Sequence, residues 1–241
     1  MKHIGIVACS AEGAALCYRS ICQQALHYLG AHDHPRITMD SIPMAATMPY
    51  FRNGDMAGVA QVLGRSLETL ARAGADFAIC PDNTCHMAFP LLEPASPLPL
   101  LHIVRVVGEE AKRLGYRKLG ITGTAFLMDG NLYPEMLREF DLDSEIPDPA
   151  ARQRIHDIIF RELVNGLFPA ESQKYLNTVI AQFSRNGCDA VVLGCTELPL
   201  LVNPDNCPLP ILDSTRLLAH QALLTALDTP NSLSLGRPSA K

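Results

Sequence analysis

Two stretches of this sequence share one pattern: GADFAICPDNT at residues 74–84 and GCDAVVLGCTE at residues 187–197. They align without a gap, and Asp82 then stands opposite Cys195. In each stretch a glycine stops a helix, a short apolar run follows as a buried strand, and a reactive side chain comes after it. The repeat predicts a chain of two similar α/β lobes, although strand ends of any α/β protein can look alike.

The segments around the repeat alternate between short apolar runs and longer amphipathic runs. This alternation is typical of strand–helix units around a mostly parallel sheet. We expect strands near 3–8, 37–42, 75–80, 118–122 and 190–193. We expect helices near 12–29, 56–73, 150–166, 171–186 and 214–227. A weaker likeness joins Gly5-Ile6-Val7 to Gly120-Ile121-Thr122 and also favours two equivalent lobes.

The lobe boundaries follow from this division of the chain. The first lobe is expected to contain residues 1–100 together with about 210–228, and the second lobe residues 101–209. From residue 229 to 241 the composition turns to Pro, Ser, Gly and Lys, which predicts a flexible tail.

Composition excludes several classes of partner. With 20 basic and 25 acidic residues the chain lacks the basic excess of a nucleic-acid binder. No run approaches the roughly 20 apolar residues of a membrane span, and no signal-peptide pattern is present, so we expect a cytoplasmic protein with no membrane partner. The eight cysteines lie mostly in apolar strand or helix patterns, so we expect most of them to be reduced and buried.

The two aligned residues, Asp82 and Cys195, are the candidate catalytic pair. Ligands of open α/β sheets bind beyond the carboxyl ends of strands, so two lobes face to face would enclose a small ligand between them. Moving the α-proton of an amino acid to the opposite face requires one acid/base group on each side of the carbon. Ordinary Asp and Cys pKa values differ by about 4.6 units, so exchanging their protonation states costs about 6 kcal/mol. We therefore expect catalysis that is slow or unequal between the enantiomers.

Other polar side chains near strand ends suit recognition of an α-carboxylate, because backbone N–H groups and helix dipoles there favour anions. The candidate substrate-binding residues are Ser10, Asn83, Thr84, Thr124, Thr196 and Glu197. For Ser10 and Thr124 simple N-capping is an alternative, and Glu197 could contact the substrate's ammonium group or cap its own helix.

His86, Cys80 and Cys85 lie close to Asp82 in sequence. His86 could orient Asp82. The three residues do not predict a zinc site, because the cysteines flank a sharp turn and no second closely spaced pair follows.

Two motifs resemble those of a known family. Asp82-Asn83-Thr84-Cys85-His86 resembles the Cys-Asn-Thr-x-His signature of the aspartate/glutamate racemase family, and Gly194-Cys195-Thr196-Glu197 resembles its second signature. The resemblance covers essentially residues 3–227. It implies two Rossmann-like lobes with the active site in the cleft between them, and one catalytic residue per lobe. It also implies no pyridoxal phosphate, no metal and frequent homodimers.

Two positions depart from the family pattern. The family's first catalytic Cys is Asp82 in this chain. Where members with acidic substrates typically have Lys, at a position that contacts the distal carboxylate, this chain has Asn165. Asn165 is therefore a further candidate substrate-binding residue, and the substrate need not be Asp or Glu.

Two other functions are compatible with the sequence. A single-Cys relative on the same scaffold could be a decarboxylase or an isomerase, but a decarboxylase has no use for Asp82 and an isomerase would need a second Cys there. A non-catalytic protein that binds an amino acid is the other alternative.

Overall fold

The computed structural model describes residues 1–202 and 204–229, which form two compact units. Unit 1 contains Met1–Ile103 and the described part of the segment that begins at Thr215, and unit 2 contains Val104–Ser214. Each unit has one four-stranded sheet in which all strand pairs are parallel. The predicted α/β class with two similar lobes is confirmed.

The two sheets have the same strand order. In unit 1 the order is β2-β1-β3-β4, and the strands are β1 (Ile4–Ala8), β2 (Ile37–Ser41), β3 (Phe77–Ile79) and β4 (Leu100–Leu101). In unit 2 the order is β6-β5-β7-β8, and the strands are β5 (Lys118–Thr122), β6 (Asp143–Glu145), β7 (Ala190–Leu193) and β8 (Ile211–Asp213). The first strand of each unit is therefore central and pairs with the third, so the two units share one strand order.

Helices connect the strands in both units. They are α1 (Ala11–Leu29), α2 (Met48–Arg52), α3 (Met56–Arg72), α4 (Phe89–Leu92), α5 (Ile103–Arg113), α6 (Ala125–Met128), α7 (Leu132–Arg138), α8 (Pro149–Arg161), α9 (Ala170–Arg185), α10 (Leu198–Leu201) and α11 (Ser214–Leu227). Short 3₁₀ helices span Met44–Ala46, Thr84–Ala88, Glu93–Ala95, Leu163–Asn165 and Pro204–Asn206.

The predicted helix over residues 150–166 is wrong at its carboxyl end. The helix α8 stops at Arg161, and a 3₁₀ turn over Leu163–Asn165 follows it. Gly166 closes that turn with a left-handed φ of 72°, and its N–H donates to the carbonyl of Leu163. A glycine in this conformation ends a helix because it places no Cβ in the crowded region.

The predicted lobe boundaries also need correction. Residues 210–214 were expected in the first lobe, but β8 pairs with β7, with Leu193 opposite Asp213, and belongs to unit 2. Conversely, residue 101 was expected in the second lobe but lies in β4, the edge strand of unit 1. In both cases strand pairing decides to which unit the residues belong, and sequence patterns do not show strand pairing. The predicted tail lies outside the described residues beyond residue 229.

One aspartate in each copy of the repeat fixes the start of the central strand. The carboxylate of Asp76 accepts the backbone N–H of His3 at 2.6 Å, and the N–H of Asp76 donates to the carbonyl of His3. The carboxylate of Asp189 accepts the N–H groups of Arg117 and Lys118 at 2.7 and 3.0 Å, and its own N–H donates to the Lys118 carbonyl. The shared Asp of the repeat is therefore a structural residue.

A glycine in each central strand lets a helix pack closely against the sheet. A Cβ on Gly5 would lie 3.2 Å from Leu70 of α3, and a Cβ on Gly120 would lie 2.3 Å from the Phe183 ring of α9. These two helices precede β3 and β7, so they are the equivalent helices of the two units. This close approach explains the likeness between the Gly5 and Gly120 segments.

Two expectations drawn from composition concern membrane spans and cysteines, and the described residues bear on both. None of their helices combines the length and the apolar character needed to cross a bilayer. All eight cysteines lie among these residues, none of them forms a disulfide, and six of them are buried.

Replacing Gly120 by Ala tests the close packing of α9 on β5. We expect Gly120→Ala to lower the free energy of unfolding by about 1–3 kcal/mol, because the new methyl group overlaps the Phe183 ring. Gly64→Ala, within α3, is the matched control, since the nearest neighbour of its new Cβ would be the Leu92 side chain of α4 at 3.8 Å. There we expect a gain of about 0.5–1 kcal/mol from helix propensity. Urea denaturation measures both, and an equal effect of the two variants would contradict the packing argument.

Candidate active site

In unit 1 the chain leaves β3 at Ile79 and turns at Asp82 into the 3₁₀ helix over Thr84–Ala88. The Oδ1 atom of Asp82 accepts the N–H of Cys85 at 3.2 Å, so this carboxylate closes the turn. Asp82 is partly exposed, whereas the neighbouring Asn83 and Thr84 are buried. A carboxylate that accepts a backbone N–H is stabilised in its ionised form.

His86 holds the backbone of Asp82 and not its carboxylate. Its Nδ1 lies 2.8 Å from the carbonyl oxygen of Asp82, and its Nε2 accepts the N–H of Ile103 at 3.2 Å. The carbonyl can only accept and the amide can only donate, so the imidazole is neutral with its proton on Nδ1. Complete burial lowers the pKa of His86 well below its usual value, and His102 lowers it further. The ring stacks on Phe89 at 3.8 Å, which makes His86 a rigid support for the Asp82 turn.

In unit 2 Cys195 lies two residues beyond the end of β7, at the carboxyl end of the sheet. The N–H of Gly194 donates to the carbonyl of Thr122 at 2.7 Å, which extends the pairing with β5 by one residue. A Cβ at Gly194 would lie only 2.7 Å from that same carbonyl oxygen, so the position requires glycine. Cys195 follows in a tight turn and is 8% exposed.

Cys195 and Glu197 form a buried thiol–carboxylate pair. The Sγ atom of Cys195 donates to Glu197 Oε2 at 2.9 Å, and the Thr196 hydroxyl donates to the same oxygen at 2.8 Å. Glu197 is 3% exposed, and none of the ion pairs between described residues includes it. Its side chain makes no capping bond to α10. Of the two roles considered for Glu197, capping is therefore wrong, and the carboxylate is engaged with the thiol.

Three other candidate binding residues have structural roles. Ser10 caps α1 by accepting the N–H of Gly13, and Thr124 caps α6 by accepting the N–H of Leu127, each at 3.2 Å. The amide of Asn165 donates to the Arg161 carbonyl at 3.2 Å, at the end of α8. Substrate contacts by these three side chains stay predictions.

Sequence reasoning missed two residues that support the end of β7. The hydroxyl of Ser214 donates to the carbonyl of Leu193 at 2.8 Å, and Tyr133, which is fully buried, shares a hydrogen bond with Ser214. Burial raises the pKa of Tyr133, so this phenol stays neutral. The sequence suggested only a helix start at Ser214, because nothing in it shows that β8 lies beside β7.

Asp82 and Cys195 thus occupy equivalent positions in two equivalent sheets, each beyond the carboxyl end of the third strand of its unit. One is a carboxylate held by a backbone N–H, and the other is a thiol that donates to a carboxylate. Before a reaction, Asp82 is therefore a proton acceptor and Cys195 a proton donor, and acid/base catalysis by two groups requires one of each.

The neutral state of His86 predicts a loss of stability in mild acid. The folded pKa lies below the unfolded value of about 6.5, so acid protonates the unfolded chain first, and stability falls as the pH drops below that value. Between pH 7 and 5.5 one such histidine accounts for about 1 kcal/mol. His156, whose pKa burial also lowers, adds to the loss.

His86→Gln tests this assignment against His27→Gln, an exposed histidine on α1. The free energy of unfolding is measured by urea denaturation at pH 7 and at about pH 5.5. Its decrease between these two pH values should be smaller in His86→Gln than in the wild-type protein. His27→Gln should behave as the wild type. Equal losses in all three proteins would show that His86 takes up a proton in the folded state.

Comparisons with known proteins identify the family of this chain. The family model described as Asp/Glu/Hydantoin racemase matches residues 4–222. The broad specificity amino-acid racemase RacX of Bacillus subtilis (strain 168) is 25% identical over 166 residues, which are 66% of this chain and 68% of that protein.

Two solved structures have the same fold over the whole of their chains. The first, a structure from Yersinia pestis described as a candidate Asp/Glu racemase, is 30% identical with a TM-score of 0.85, and covers 94% of this chain and 100% of that one. The second, an aspartate racemase homologue from Pyrococcus horikoshii OT3, is 25% identical with a TM-score of 0.80 and the same two coverages. With a family match over residues 4–222, two equivalent parallel sheets and a cysteine at the end of the third strand of unit 2, the chain belongs to the Asp/Glu/hydantoin racemase family.

Proposed function

We propose that this protein is a cofactor-independent amino-acid racemase or epimerase in which Asp82 and Cys195 act on opposite faces of the α-carbon. The observation that carries the proposal is the buried pair at the end of β7, where the thiol of Cys195 donates to Glu197 at 2.9 Å. Family membership supports the reaction class. The equivalent position of Asp82 in unit 1 supports its role as the second acid/base group.

Glu197 would bind the ammonium group of the substrate. A buried carboxylate is costly without a positive partner, and the α-ammonium of an amino acid supplies one. An ionised Glu197 beside Cys195 disfavours the thiolate, because two negative charges then lie close together. Binding of the ammonium group offsets that repulsion and stabilises the thiolate, so the thiol becomes a better proton donor when substrate is present.

A turnover moves two protons. Asp82, as carboxylate, removes the α-proton from one face, and the Cys195 thiol gives its proton to the other face. The enzyme then holds a carboxylic acid and a thiolate, and reaction with the opposite enantiomer restores the first state. Backbone and side-chain donors that hold the substrate's carboxylate stabilise the carbanion between these steps.

The α-carboxylate is expected to bind near the polar residues of both strand ends. Asn83, Thr84 and Thr196 are buried polar groups beside the catalytic pair, and Ser10 and Thr124 lie at the first turns of α1 and α6. These positions offer amide, hydroxyl and backbone N–H donors, the groups that carboxylates accept bonds from.

The substrate in this proposal is an amino acid outside the Asp and Glu pair. Asn165 cannot form an ion pair with a distal carboxylate, and its amide donates to the carbonyls of Phe160 and Arg161. The similarity to a relative described as a broad specificity amino-acid racemase supports a wider range of side chains.

The test is loss of α-proton signals in heavy water, followed by proton NMR over a panel of L- and D-amino acids. We expect exchange of at least one amino acid by the wild-type protein, none by Cys195→Ser, and a reduction of at least about 100-fold in Asp82→Asn, the usual size of a lost acid/base group. Cys207→Ser is the matched control, because Cys207 is a partly buried thiol of unit 2 outside the turn that carries Cys195, and it should keep the full rate.

Other outcomes favour the alternative functions. Exchange that depends on Cys195 but is unchanged in Asp82→Asn would favour a one-thiol relative such as a decarboxylase or an isomerase. A rise in melting temperature with an amino acid, without any proton exchange, would favour a binding protein.

The unequal pair predicts unequal maximal rates for the two enantiomers. The direction that begins with Asp82 carboxylate and Cys195 thiol uses the ordinary protonation states, whereas the reverse direction starts from the costly ones. The equilibrium constant between enantiomers is one, so kcat/KM is the same in both directions and the difference in kcat must be matched by KM. Polarimetry with each pure enantiomer measures both constants, and equal kcat values would contradict the assignment of Asp82 as a base.

Two further expectations form part of this proposal. We expect a homodimer, which light scattering of the purified protein checks, and we expect the protein to work in the cytoplasm.

A further inference from the structure

A second group of thiols lies at the carboxyl edge of the unit 1 sheet. The Sγ atoms of Cys9, Cys80 and Cys85 all lie within 4.8 Å of one another. Cys9 follows β1, Cys80 follows β3, and Cys85 lies in the 3₁₀ helix that Asp82 closes. The mechanism proposed above uses none of these three side chains.

We propose that Cys9, Cys80 and Cys85 form a binding site for a soft cation of low coordination number, and that Cu(I) is the ion that fits it. Metal–sulfur bonds of about 2.3 Å around one ion put three sulfurs about 4 Å apart, so the observed spacing needs only small shifts. Thiolate ligands select soft ions such as Cu(I) over hard ions that prefer oxygen.

The donor set favours Cu(I) over zinc. Structural zinc takes four ligands in a tetrahedron, whereas among the described residues this group offers three thiols. His86 is close in sequence but both of its ring nitrogens are engaged, one with the Asp82 carbonyl and one with the Ile103 N–H. A group of three sulfurs suits trigonal coordination.

Burial holds the thiols in place and favours a weakly hydrated ion. The exposed fractions of Cys9 and Cys80 are 3%, and that of Cys85 is 0%. The N–H of Cys85 is tied to Asp82, and β1 pairs with β3 up to Ile6 and Ile79, so all three segments are fixed by backbone bonds. Little ordering is then needed when an ion binds.

The hydrogen bonds within the group prepare one sulfur as a ligand. Bonds with Cys80 and Cys85 hold the pKa of Cys9 well below its usual value, against the effect of burial. Bonds with Cys80 and Cys9, together with burial, raise the pKa of Cys85. The hydrogen bonds thus favour loss of a proton at Cys9 before the other two thiols, and each sulfur that binds an ion releases its proton to solvent.

Anaerobic titration with Cu(I), delivered as its coloured bicinchoninate complex, tests the site. We expect one Cu(I) per chain, with X-ray absorption showing three sulfur neighbours. Uptake should persist in Cys195→Ser, which removes the thiol of unit 2, and in Cys17→Ser, which removes a buried cysteine of α1. In Cys9→Ser the affinity should fall by more than about tenfold.

Three results would contradict the proposed site. The first is no uptake of Cu(I) by the wild-type protein, and the second is an X-ray absorption spectrum that shows fewer than three sulfur neighbours. The third is full uptake by Cys9→Ser and Cys85→Ser when both variants have the melting temperature of the wild type. If Cys9→Ser does not fold, the absorption spectrum of the wild-type complex decides alone, because it counts the sulfur ligands directly.

Discussion

The start of each central strand is held by one carboxylate, and the positions of both candidate catalytic residues depend on it. Asp76 and Asp189 accept backbone N–H groups from the first residues of β1 and β5 or from those just before them, and they donate back to the same segments. A strand bonded in both directions cannot slip by one residue, a change that would turn every side chain to the opposite face. The far ends of β3 and β7, with Asp82 and Cys195 after them, are thereby placed at a defined level of each sheet.

The same topology places different hydrogen-bonding groups at the equivalent strand ends of the two units. At the end of β3 the carboxylate of Asp82 accepts a backbone N–H, and the neutral His86 donates to the carbonyl of Asp82. At the end of β7 the thiol of Cys195 donates to a buried carboxylate. An acceptor in one unit and a donor in the other are what transfer of an α-proton requires, and the fold provides equivalent positions for both because its two sheets have equivalent strand orders.

The cysteines show how neighbours decide the chemistry of one residue type. Cys195 has an oxygen acceptor and a glycine before it that allows the strand end to close tightly. Cys9, Cys80 and Cys85 have mainly one another, which makes them candidate ligands for a soft ion. Cys188 lies in a third environment, where burial raises its pKa to about 11 and keeps the thiol protonated. These differences arise from packing, since Cys9, Cys80 and Cys195 all come just after similar apolar strands and yet differ in their neighbours.

The sequence by itself determined the α/β class, the two equivalent units and the residues at the two strand ends, because strand and helix periodicity and the repeat are local properties of the chain. It also offered N-capping as one of two roles for Ser10 and Thr124, and both side chains do cap helices. Only the tertiary structure decided that β8 belongs to unit 2, that Glu197 accepts the thiol of Cys195, and that Cys9 lies beside Cys80 and Cys85. The physical reason is that parallel strand pairing brings together segments far apart in sequence, and the direction of a side chain after a strand end is set by the turn it enters, which periodicity does not encode.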